Sequence, residues 1–81
     1  MKVEIHFFSY FKDVAGCSTT TEELPERATV HQLMQRIHER FPKLAPAARS
    51  TLIAIDLEYA SPDQQLKDGD QVSLFPPVQG G

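Results

Sequence analysis

Only one cysteine, Cys17, occurs in the 81 residues, so the chain can close no internal disulfide and build no multi-cysteine zinc site. Packing alone must hold the fold. No apolar run approaches the roughly 20 residues that a membrane-spanning helix requires, and no basic segment leads into a long apolar one at the N-terminus. A membrane is therefore not an expected partner, and a cytoplasmic location is the default expectation. The eight Lys and Arg residues are scattered and the formal net charge is −3. That pattern gives no basic footprint for phosphate backbones, so nucleic acid is not expected either.

What is present describes one small folded domain. A chain of this length supports a single hydrophobic core, leaving no room for a second catalytic domain. At 41% hydrophobic and 23% charged residues, it is too apolar for intrinsic disorder. No internal repeat, low-complexity segment or linker divides residues 1–81.

Val3, Ile5 and Phe7 alternate with Lys2, Glu4 and His6, the period of a strand with one buried face. Phe8 falls on the His6 side, out of phase with the apolar set, which predicts an exposed aromatic. A helical turn is expected within Ser9 to Val14, ending at Ala15-Gly16, then a second, antiparallel strand over Ser18 to Thr21. The clearest helix starts at Thr29, with Gln32 placed to complete a capping box. Val30, Leu33, Met34, Ile37 and Phe41 form one helical stripe, and Pro42 stops the helix. Burying that stripe is worth on the order of 10 kcal/mol gross, much of it offset by conformational entropy. Pro46 to Ser50 fits a short helical turn. Leu52 to Ile55 reads as a strand, Asp56-Leu57 as a turn, Glu58 to Ala60 as a short edge strand ended by Pro62-Asp63, and Lys67 to Asp70 as a second turn. In the last strand Val72 and Leu74 point one way, Ser73 and Phe75 the other. This order predicts an α+β fold of the β-grasp type, a mixed sheet of about five strands with one main helix across it.

From Gln71 to Gly81 no side chain is charged. The terminal carboxylate is thus the one ionisable group of the stretch, and burying Pro, Val and Gly in a partner is cheap where burying charges is not. Pro76-Pro77 favours an extended path away from the sheet, and Gly80-Gly81 adds no side-chain bulk. Residues 76–81 reach at most roughly 20 Å, enough to enter another protein's active site. Adenylation by ATP would turn the carboxylate into an acyl adenylate open to a sulfur nucleophile. The alternative is that Gly80-Gly81 is simply a frayed end.

The run Val72-Ser73-Leu74-Phe75-Pro76-Pro77-Val78-Gln79-Gly80-Gly81, preceded by Leu66-Lys67-Asp68-Gly69-Asp70, resembles the end of the molybdopterin synthase small subunits, a family of ubiquitin-like sulfur carriers. The likeness continues through Val3 to Phe8, Val14-Ala15-Gly16 and Thr29-Val30. It implies that Gly81 is adenylated by an E1-like activating enzyme and thiocarboxylated from a sulfur donor, with Gly80 allowing close approach. The large synthase subunit would accept the tail, Pro76, Pro77, Val78 and Gln79 included, in a hetero-tetramer where sulfur passes to a cyclic pterin precursor. The resemblance further implies that the chain is not itself catalytic, that no cofactor binds it tightly, that ATP is consumed by the activating enzyme, and that Phe75 docks on the partner. Strand phasing independently puts Phe75 and Phe8 on the outward face, where Tyr59 can join them; the alternative for these aromatics is a small second core under a loop. A carrier for thiamine or another sulfur-containing product, and a ubiquitin-like modifier joined through Gly81, share the Gly-Gly end. Many family members have an Asn-Gly-like turn where this chain has Ile55-Asp56-Leu57-Glu58.

The remaining polar residues suggest no chemistry. Cys17 has no His and acid partner placed by motif. His31 and His38 are seven apart rather than at the i, i+4 spacing of helical metal pairs, so no metal site is expected and both histidines are read as solvated or cap-adjacent. Glu22, Glu23 and Glu26 read as a solvated acidic surface.

Overall fold

The structure, a computed structural model, describes residues 1–77. Its elements are strand β1 (Lys2–Phe7), helix α1 (Tyr10–Ala15), β2 (Thr19–Glu23), α2 (Val30–Arg40), a 3₁₀ segment (Pro42–Ser50), β3 (Leu52–Ile55), β4 (Glu58–Tyr59) and β5 (Gln71–Phe75). The five strands form one sheet in the order β2-β1-β5-β3-β4. β1 and β5 run parallel at its centre, with Ile5 opposite Val72 and Phe7 opposite Leu74. All other pairs are antiparallel. This is the ubiquitin-like β-grasp arrangement.

Alternation in the strands sets the layers. Val3, Ile5, Phe7, Val72 and Leu74 are sealed on one face of the sheet, against Val30, Leu33, Met34 and Ile37 of α2. The helix begins where its capping box closes. Gln32 N donates to Thr29 Oγ1 at 3.3 Å, and Thr29 N donates to Gln32 Oε1 at 2.9 Å. It ends at Arg40, and Pro42 opens a 3₁₀ segment longer than the single turn expected from the sequence, with Pro42 in its first turn, where no N–H is needed, and Pro46 inside it, where a continuing α-helix would lose a hydrogen bond. Leu44 drops from that segment into the core.

The edge strand β2 carries only Thr and Glu, so its inner face offers α2 no apolar contact. Arg40 replaces it. Its Nη1 donates to Glu22 Oε2 at 2.7 Å and Thr21 O at 3.0 Å, its Nη2 donates to Thr20 Oγ1 at 2.7 Å, and the guanidinium lies over the Phe41 ring. Arg36 reaches the same carboxylate from the preceding turn. Glu22 is therefore not part of a solvated acidic surface, as the sequence suggested; it is the mostly covered anchor of an ion-pair clasp, while Glu23 and Glu26 remain exposed.

The turn before β5 aligns the central pair. Gly69, at φ 86°, donates to Lys2 O at 2.8 Å, Lys2 N donates to Asp68 Oδ1 at 2.8 Å, and Lys67 N donates to Asp70 Oδ2 at 2.7 Å. These bonds fix the register with which β5 enters beside β1, and hence where its far end leaves the sheet.

Candidate functional site

β5 ends at Phe75 in the middle of the sheet. The last ladder contact from β1 is Phe8 N donating to Leu74 O at 3.1 Å. Beyond it Pro76 and Pro77 have no N–H to offer, so the ladder must stop and the chain must leave. Both prolines are half-buried in a cleft that they share with Ser9, Tyr10, Leu52, Tyr59 and Phe75. No charged side chain lines it. Val78, Gln79, Gly80 and Gly81 lie outside the described residues.

The predicted outward aromatics come together. Phe8 and Phe75 stack with ring centroids 4.6 Å apart and planes 13° from parallel, an offset contact worth about 1 kcal/mol beyond area burial. His6 extends the row at 6.5 Å from Phe8, and its Nε2 lies 2.9 Å from Glu4 Oε1 without hydrogen-bond alignment. Tyr59, 76% exposed on the edge strand β4, lines two clefts together with Phe75. Phe8 is 40% exposed. An aromatic layer so open to solvent is a surface, not a second core under a loop.

Three contributors were not foreseen from the sequence. Leu52 joins because it pairs with Phe75 in the β3–β5 register, and register across strands distant in sequence is not written in local pattern. Tyr10 and Ser9 join because the chain turns sharply after β1: Ser9 has φ 55°, and the short helix it opens buries Phe11 while leaving Tyr10 exposed. A tyrosine next to a core phenylalanine on a six-residue helix was the available signal.

Among the described residues no group of three or more His, Cys, Asp or Glu side chains could hold a metal ion. Cys17 is half-buried and packs on the core. His31 is exposed as expected, but His38 is not: it is half-buried in a groove with Met34, Ile53 and Ala48, and its Nε2 has no hydrogen-bond partner among the described residues. Burial holds its pKa below the ordinary 6.5. No described helix is long and apolar enough to cross a membrane. The arrangement thus leaves an exposed aromatic surface beside the point where the chain leaves the sheet, and among the described residues no charged side chain lines the cleft there.

Comparison with known proteins agrees with this geometry. The ThiS family model matches residues 5–81, and the chain belongs to the ThiS family. The molybdopterin synthase sulfur carrier subunit of Chlamydomonas reinhardtii is 32% identical over 83 aligned positions, covering 100% of both chains. Among solved structures, a Pyrococcus furiosus protein assigned as subunit 1 of molybdopterin converting factor superposes with a TM-score of 0.88 at 36% identity, covering 96% of this chain and 99% of that one. A chain from the complex of subunits 1 and 2 of the molybdopterin-converting factor of Helicobacter pylori matches at a TM-score of 0.71 and 27% identity, with 100% of each covered.

Proposed function

We propose that this chain is the sulfur carrier subunit of a molybdopterin synthase and that Gly81 carries the sulfur. The observation that bears most weight is the combination, over the full length, of likeness to such subunits with a central strand that ends in Pro76-Pro77 beside stacked Phe8 and Phe75. In this reading an E1-like enzyme lets the Gly81 carboxylate attack the α-phosphorus of ATP, releasing pyrophosphate. Hydrosulfide released by a sulfur donor then adds at the acyl carbon, the bond from that carbon to AMP breaks and AMP leaves, and loss of the S–H proton gives the thiocarboxylate. The large subunit grips Phe75, Phe8 and Tyr59, takes in residues 76–81, and supplies the catalysis by which sulfur passes to a cyclic pterin precursor. Catalytic groups belong to the partner. The carrier contributes a slim acyl group at the end of a short leash, which raises its effective concentration in the partner's site.

Intact-mass analysis after incubation with ATP, the activating enzyme and a sulfur donor tests this. The expected result is a mass gain equal to exchange of one oxygen for sulfur, mapping to Gly81. Absence of that gain, or lysine-linked conjugates through Gly81 in its place, overturns the carrier assignment, the latter in favour of a protein modifier.

A further inference from the structure

Leu57 is 99% exposed at the tip of the β3–β4 hairpin. Two-residue hairpin loops favour Gly, Asn and Asp, which tolerate positive φ and face water readily. Asp56 follows that logic, with φ 56°. Leu57 does not, since a fully solvated leucine contributes nothing to this chain's own core. Single exposed apolar residues are ordinary on protein surfaces, but Leu57 is not isolated. It shares a cleft with Ala54, Asp56, Tyr59 and Phe75. Indeed every exposed large hydrophobic among the described residues converges on Phe75. Phe8 stacks on its ring, Tyr10, Leu52 and Tyr59 share the cleft at the tail root with it, and Leu57 shares the second cleft.

The tip is also held firmly. Asp56 N donates to Gln71 O at 3.0 Å, Ile55 pairs with Glu58, and Ala60 N donates to Ile53 O at 2.9 Å. A side chain presented on a fixed turn loses little conformational freedom on binding, which favours a role as an anchor. Its position limits what it can do. β3 runs antiparallel to β5, with Leu52 opposite Phe75 and Ile55 opposite Val72. The end of β3 at Ile55 therefore stands three strand positions, roughly 10 Å, from the level of Phe75 in the direction away from Pro76, and the tip lies beyond it.

Resting on the sulfur-carrier reading above, we propose that Leu57 is a specificity-determining anchor that fills an apolar recess on the large synthase subunit, at the end of the exposed apolar surface away from Pro76 and Pro77. Because it lies on the far side of Phe75 from the point where the chain leaves the sheet, it is taken to bind ground state and transition state alike. Its loss raises the carrier concentration needed for transfer without slowing transfer at saturation.

The test uses the full-length carrier and the large subunit. Leu57→Asp is expected to weaken the complex at least ~10-fold and Leu57→Ala by ~3-fold or more, with Leu57→Met close to the unsubstituted chain. Melting temperature and thiocarboxylation of Gly81 stay unchanged, and so does the single-turnover transfer rate at saturating carrier. Unaltered affinity of Leu57→Asp overturns the proposal, as does a slower saturated rate with unaltered affinity. Sedimentation of the carrier alone guards against a different occupant: a self-dimer dispersed by Leu57→Asp, with large-subunit affinity intact, would assign the tip to a second copy and also overturn it. If the unsubstituted chain fails to bind the large subunit, the carrier reading itself fails, an outcome distinct from a Leu57 variant that binds normally.

Discussion

Phe7 and Phe8 are neighbours in sequence, and Leu74 and Phe75 are neighbours on the strand beside them, yet each pair splits between two faces of the sheet. Phe7 and Leu74 are sealed under α2, Phe7 meeting the Phe41 ring edge-on at 5.3 Å. Phe8 and Phe75 stack on the opposite face, Phe8 open to solvent and Phe75 half-buried, beside the point where the chain leaves the sheet. Apolar side chains are thus divided by the two-residue period of a strand into a face that stabilises the fold and a face left open to solvent.

The sharpest way to break that division is to truncate one member of each pair. Phe7→Ala should cost about 3–5 kcal/mol of unfolding free energy, because a fully enclosed ring leaves a cavity that its neighbours fill poorly. Phe8→Ala loses only a stacking contact and partial burial, about 1 kcal/mol. Denaturant unfolding of the two variants checks this directly; equal losses would mean that the outer row belongs to the core after all.

The second probe moves from stability to binding. Phe75→Ala should weaken the complex with the large subunit by about 2 kcal/mol, roughly 30-fold, while its loss of unfolding free energy remains near that of Phe8→Ala. Calorimetric titration against the large subunit measures the first and a melting curve the second. Unchanged affinity would remove Phe75 from the docking surface and leave the outer aromatics without a shared role.

Much of this division was legible in advance. The alternation through Val3, Ile5 and Phe7 placed the core face and, by its phase, Phe8 outside it. Thr29 and Gln32 announced the start of α2, whereas the strand order, which puts β1 and β5 at the centre, is not contained in the sequence pattern alone. Two kinds of feature stayed hidden. The first is polar packing: β2 carries no apolar residue to reveal its inner face, and only the fold shows Arg40 spanning Thr20, Thr21 and Glu22. The second is register between strands far apart in sequence, which brings Leu52 opposite Phe75 and makes Asp56-Leu57 part of the same surface. The turn type at Asp56-Leu57 belongs with these. Positive φ at Asp56 alone is the signature of a II′-like turn rather than the I′ turn of an Asn-Gly loop, so the missing glycine changes the turn and leaves the two-residue hairpin intact.

The inner layer has one weak point, and it offers the gentlest test of the comparison. His38 closes the groove between α2, the 3₁₀ segment and β3 with an Nε2 that finds no hydrogen-bond partner among the described residues. A positive charge there would suit the C-terminal end of α2, but the loss of solvation dominates and lowers its pKa. The unfolded chain consequently binds a proton on His38 more readily than the folded one does. Stability attributable to this residue is full above the ordinary pKa of 6.5 and declines as the pH falls through that value toward the folded pKa. The other titratable side chain lining the groove, His31, is exposed. A melting temperature that falls from about pH 7.5 to about pH 5, by a smaller amount in His38→Gln than in the unsubstituted chain, is the expected result. An identical slope in the two proteins would show that protonation of the inner layer costs the fold nothing, and that the contrast between its two faces rests on apolar packing alone.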